Sequence, residues 1–302
     1  MRALTLVACL GMVCPGWLAG ADVVATALYA RVGNGYERER LAAGGFQTEY
    51  YALGNGGRIY GTTSDETVDR VTYPEIAGIA MRLLAEQNYQ YARTREQAKL
   101  LVVLQWGVTL APNGPNYSAR INDLARLKAG KEQGMGSLDT GRGGAAEDGG
   151  ALEGLMLALL MENRARDQIN ERNARVLGYL DDINESNDIR RWAGGGDRYR
   201  DLVADVEESR YYIVISAYDF PELSKNRKKK LLWQTRVSVP TPGNGFDDSM
   251  VAMMKNASRY FGQDSGRLIR GEESKGKVEL GDLKFLGEAN ELPPSSEEKP
   301  KP

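Results

Sequence analysis

The sequence contains no histidine, which removes Ser-His-Asp triads, Cys-His pairs and imidazole metal sites in one step. Chemistry then falls to carboxylate pairs, Ser-Lys arrangements, tyrosine and backbone donors. Asp181, Asp182, Asp188 and Asp219 are the carboxylates a hydrolase would draw on, and two of them would have to converge in one pocket. Spacing alone assigns no catalytic residue, and no cofactor is expected.

Two motifs invite a ligand. In "DDINESNDIRRW" (181–192), Asp182, Asn184, Ser186 and Asp188 stand at alternate positions, as in a calcium loop. The position that needs glycine is Asn187 and the one that needs glutamate is Ala193, so a helix terminus with a polar loop is the better reading. The glycine-rich stretch 128–150 lacks the G-x-x-x-x-G-K-[ST] fingerprint of a phosphate loop and reads as a flexible loop or disordered segment.

The stretch "KNRKKKLLWQTRVSVP" (225–240) gathers Lys225, Arg227, Lys228, Lys229 and Lys230 ahead of an alternating run. Such a cluster suits an exposed hairpin loop that keeps a sheet edge soluble, or contact with an anionic membrane surface. Nucleic acid would need a wider basic field than a chain of net charge −2 offers, and is not expected. Tyr50, Tyr51, Trp106, Tyr211, Tyr212, Tyr218 and Trp233 would either line a groove on the sheet or belong to its core.

The elements that must carry these residues follow from periodicity. Strands are predicted over 23–32 and 45–53, the second closed by "GNGGR" as a turn. A helix follows from "TYPEIAGIAMRLLAEQNY", with Pro74 at its start and Ile76, Ile79, Ala80, Leu83 and Leu84 on one stripe. "AKLLVVLQWGVTL" (98–110) alternates clearly, as does "LLWQTRVSV" (231–239), where Trp233, Thr235 and Val237 face one way and Gln234, Arg236 and Ser238 the other. The segment 151–183 is mostly helical, a second helix covers 197–210, and 211–220 forms a hairpin with 231–239. A final helix spans the stripe Phe246, Met250, Met253, Met254, Ala257 and Phe261, and a last strand is expected over 276–287.

The first residues, "MRALTLVACLGMVCPGWLAGADVV", have the layout of a secretory signal: Arg2, an apolar stretch, then Ala19 and Ala21 before Asp22. "LVAC" (6–9) also has the form of a lipobox, which would make Cys9 a lipidation site and leave Cys14 unpaired. Soluble export and a lipid anchor are both open readings.

Taken together, the helix before "NYQYA", the strand "AKLLVVLQW" and the pair "YYIVISAYDF" and "KKLLWQTRVSV" resemble the bacterial envelope (lipo)protein domain family known as domain of unknown function 4136. That resemblance covers two blocks. It implies an α+β fold, a mostly antiparallel sheet with two helices packed on one face, and an envelope location, without an assigned activity. This chain departs from the family in a helical insertion. The expected organisation is a signal peptide (1–21), a first part of the domain (22–111), a Gly-rich loop and helical insertion (112–210), the second part (211–288) and a disordered tail (289–302). The expected function is a non-catalytic binding or assembly module with an envelope protein as partner; the alternative is an exported carboxylate-dependent hydrolase.

Overall fold

A computed structural model of the chain describes residues 23–59, 63–112, 147–193 and 196–274. The leader with Cys9, most of the glycine-rich stretch, the expected strand 276–287 and the tail lie outside the described residues.

The chain is α+β, with one mixed seven-stranded sheet in the order β3-β2-β4-β5-β6-β1-β7. Its strands are β1 (Val23–Val32), β2 (Glu49–Gly57), β3 (Tyr89–Tyr91), β4 (Leu100–Val108), β5 (Arg210–Asp219), β6 (Leu231–Pro240) and β7 (Ile269–Ser274). β2 pairs in parallel with β3 and β4, and the remaining neighbours are antiparallel. Among the described residues the helices are α1 (Glu66–Asp69), α2 (Tyr73–Glu86), α3 (Glu147–Leu177), α4 (Leu180–Ala193), α5 (Asp197–Glu207), α6 (Phe220–Asn226) and α7 (Phe246–Ser258). None of these is long and apolar enough to cross a membrane.

Period-two alternation sends Leu100, Val102, Leu104, Trp106 and Val108 of β4, with Trp233, Val237 and Val239 of β6, into one core. Ile76, Ile79, Ala80, Leu83 and Leu84 of α2 and Phe246, Met250, Met253 and Met254 of α7 complete it. At its centre Trp233 stacks on Phe261 with ring centroids 5.6 Å apart and meets Tyr89 at 5.9 Å. Thr72 opens α2, its backbone N–H donating to the Glu75 carboxylate at 2.7 Å.

The opposite face of the sheet has its own smaller core. There Ala27, Tyr212 and Val214 meet Ala174, Val176 and Leu177 of α3, Tyr179, and Leu202 and Val206 of α5. β5 is therefore buried on both faces from Arg210 to Ala217, which is why its sequence runs apolar without alternation.

Three local expectations are corrected. "GNGG" is not a turn; β2 continues through it in parallel with β4, and a Cβ on Gly56 would collide with the Gln105 and Val103 side chains. The loop after β5 contains α6, because Asp219 accepts the Glu222 N–H at 3.0 Å as a helix cap. Residues 181–192 are not a polar loop but lie within α4, where Asp181 and Asp182 occupy the first turn and complement the helix dipole. The strands β3 and β7, unread in the sequence, are edges too short or too polar for periodicity to reveal.

Candidate functional site

The helices α3 and α4 meet at a tight corner. Gly178 has φ +84°, and the Tyr179 N–H reaches back to the Ala174 carbonyl at 2.8 Å, closing α3 as a Schellman motif. The Tyr179 carbonyl then accepts the Ile183 N–H at 2.9 Å to start α4. A Cβ on Gly178 would lie 2.6 Å from Tyr29 Cβ, so only glycine lets this corner settle onto β1.

Beside the corner the sheet face is left uncovered, forming a cleft of about 370 Å³. Its floor is Tyr29 and Arg31 of β1 with Gln234 and Arg236 of β6; its wall is Arg175, Gly178, Leu180 and Asp181. The register sets Tyr29 opposite Arg236 and Arg31 opposite Gln234, so all four side chains share one face. At the rim Asn34 donates to the Leu231 carbonyl at 2.7 Å, and Gln234 is held by Ser216 at 2.6 Å.

The cleft brings three arginines together against one carboxylate. Asp181 accepts from the Tyr29 hydroxyl at 2.6 Å and from Arg31 at 3.3 Å. Arg175 pairs with Glu171 one helical turn away at 2.7 Å, an exposed contact of small energy. Arg236 differs: it is half-buried, its guanidinium carbon lies 6.0 Å from the Tyr29 ring centroid, and among the described residues it has no hydrogen-bond or ion-pair partner. Burial pushes its basicity down, Tyr29 and Asp181 oppose that, and Arg31 adds repulsion. Burial and the Asp181 contact push the Tyr29 hydroxyl up to about 12.

The four candidate carboxylates do not meet. Asp181 lines the cleft, whereas Asp182 is buried, accepting from Arg198 and from the Leu268 N–H at 2.9 Å. Asp188 is exposed on α4, and Asp219 caps α6 beside Lys230 at 3.7 Å. Among the described residues no three His, Cys, Asp or Glu side chains are grouped to hold a metal ion. The aromatic set is also divided: Tyr51, Trp106, Tyr211 and Trp233 enter the main core, Tyr212 enters the opposite one, and Tyr50 and Tyr218 are half-buried.

Lys225, Arg227, Lys228, Lys229 and Lys230 are all exposed, and they run directly into Leu231, a lining residue of the cleft. A second hollow of about 390 Å³ lies between α3, α4 and α5, but there Arg166 and Glu207 face each other at 2.8 Å and their charges match. Sequence reasoning missed the cleft. Its one legible sign was the pair Gln234 and Arg236, which share the polar face of β6.

No family model matches the chain, and no curated protein matches it. Among solved structures it is similar, at TM-score 0.35 and 10% identity, to a PDZ domain protein from Parabacteroides distasonis ATCC 8503, over 83% of this chain and 39% of that one. The chain thus spans less than half of that protein's length.

Proposed function

We propose that the chain is a non-catalytic binding or assembly module of the bacterial cell envelope whose ligand or partner enters the cleft between β1, β6 and the α3–α4 corner. The observation that carries this reading is the convergence of Arg31, Arg175 and Arg236 on one concavity while the carboxylates are dispersed. Cationic side chains over a fixed sheet floor recognise; they supply neither a nucleophile nor a paired acid and base. Export rests on the leader and on the family resemblance, and Cys9 is the residue that would carry an anchor. In this reading the mostly antiparallel part of the sheet, with α2 and α7 as the two helices of one face, is the envelope-domain scaffold. The helices α3–α5 are the insertion that raises the wall of the cleft. The Lys225–Lys230 cluster serves as a positive approach, to an anionic surface or to the cleft it adjoins.

Native mass spectrometry of the protein purified from an envelope fraction tests this directly. A bound species retained by the native chain and lost on Gln234→Trp, which fills the cleft floor, supports the reading. A species that survives Gln234→Trp places binding elsewhere and overturns it. The denatured mass of the same sample decides between a start at Asp22 and acyl chains on Cys9.

A further inference from the structure

We infer that the cleft is a receptor for a small oxyanion, a carboxylate or phosphate group, and that Arg236 is its principal ligand with Arg31 as the second. This deepens, and rests on, the reading of the cleft as the binding site.

A guanidinium carries five N–H donors in a planar fork, and its burial without a counter-ion is unfavourable. Arg210 at the start of β5 is buried and matched: it lies near Asp205 and Glu208 and donates to Ser238 at 3.2 Å. Arg38, in the loop between β1 and β2, donates to the Gln87 carbonyl, approaches Glu49 at 3.7 Å and lies over the Phe46 and Tyr89 rings, with its Nε and Nη1 left without a hydrogen-bond partner. Arg236 faces a cleft open enough for a ligand and has the Tyr29 ring as its contact. The nearest carboxylate, that of Asp181, is turned to Tyr29 and Arg31. Arg236 thus lines the cleft with no partner for its donors among the described residues, with Gln234 on the same face and Arg175 on the wall.

The Arg31 side chain is 65% exposed, and its contact with Asp181, 55% exposed, is a weak surface pair. An incoming oxyanion can recruit Arg31 without a large penalty, while the Tyr29 hydroxyl continues to hold Asp181. Asp181 is then the competing negative charge that sets how tightly the anion binds, and the cleft takes a group of single or double charge at a site where the chain as a whole is net negative.

Thermal melts of the chain in inorganic phosphate and in succinate, each against sodium chloride at matched ionic strength, test the inference. Ligation of the folded state raises Tm by mass action. A rise with phosphate alone identifies a phosphate-type ligand, a rise with succinate alone a carboxylate, and a rise with both the shared oxyanion chemistry. Arg236→Met is expected to abolish the rise, with affinity reduced about tenfold or more, while its own Tm in chloride stays at or above the native value. Arg31→Gln, at an exposed side chain, is expected to weaken the response in a fold left intact, and Asp181→Asn to tighten binding about two- to fivefold. No rise beyond chloride, or an equal rise in Arg236→Met and Arg31→Gln, overturns the inference. If native mass spectrometry shows a species that Gln234→Trp removes while neither oxyanion raises Tm, the anion assignment fails alone. If that species survives Gln234→Trp, it is the cleft reading that fails.

Discussion

Tyr29 and Arg236 stand opposite each other on antiparallel β1 and β6, the guanidinium carbon 6.0 Å from the ring centroid, while the same tyrosine's hydroxyl donates to Asp181 on α4. One side chain thereby joins the sheet floor, the unpaired cation and the helical wall. Its ring lies beside the cation and its hydroxyl donates to the carboxylate at 2.6 Å.

The Tyr29 hydroxyl makes stability sensitive to alkali. Its folded value is raised to about 12 from an ordinary 10.0, so the folded state holds the proton more firmly than the unfolded chain. That contribution is fully present below pH about 10 and is lost as pH rises through about 12. Denaturant titrations across this window are expected to show a loss that is smaller in Tyr29→Phe; an identical loss in the variant would assign it to other buried tyrosines.

Gly178→Ala is expected to destabilise by about 2 kcal/mol or more, since it combines a left-handed backbone with a collision at Tyr29. Gly35→Ala is the control: its φ is +69° but nothing lies within 4 Å of the added Cβ. It is expected to lose only about 1 kcal/mol. Urea midpoints of the two variants measure the difference, and equal losses would remove the steric argument for the corner.

Trp233→Ala is expected to cost about 3–5 kcal/mol, because the side chain is fully buried between Tyr89 and Phe261. Far-ultraviolet circular dichroism with urea titration checks it. A loss below about 1 kcal/mol would contradict the packing described for this core.

Asp182→Ala breaks the bonds from Arg198 and from the Leu268 N–H that tie α4 to α5 and to the chain leading into β7. A loss of about 1.5–3 kcal/mol is expected. Amide exchange at Leu268 should rise sharply, with Ile79 in the main core unaffected. Unchanged exchange at Leu268 would show that Asp182 does not dock this helix.

The strands β1, β4 and β6 and the helices α2 and α7 were legible because alternation and the helical stripe are local properties of a few consecutive residues. "LLVVLQWGV" and "LLWQTRVSV" state their faces without reference to the rest of the chain. Where a neighbour overrides the local signal, reading failed. "GNGG" looks like a turn until β4 lies beside it in parallel. "DDINESNDI" looks like a loop until the Gly178 corner launches a helix through it.

By itself, then, the sequence determined the α+β class, the row of polar side chains on β6, and the absence of histidine chemistry. Only the tertiary structure decided that Gln234 and Arg236 of this row line a cleft while Ser238 is buried beside Arg210. Arg31, Arg175 and Arg236 lie on separate elements distant in the chain, and no local period encodes their meeting. It arises because β1 inserts beside β6 in the sheet and α3 ends where Tyr29 permits a glycine corner. Whether a charged side chain is solvated or half-buried without a partner depends on what packs around it, and that is a property of the fold.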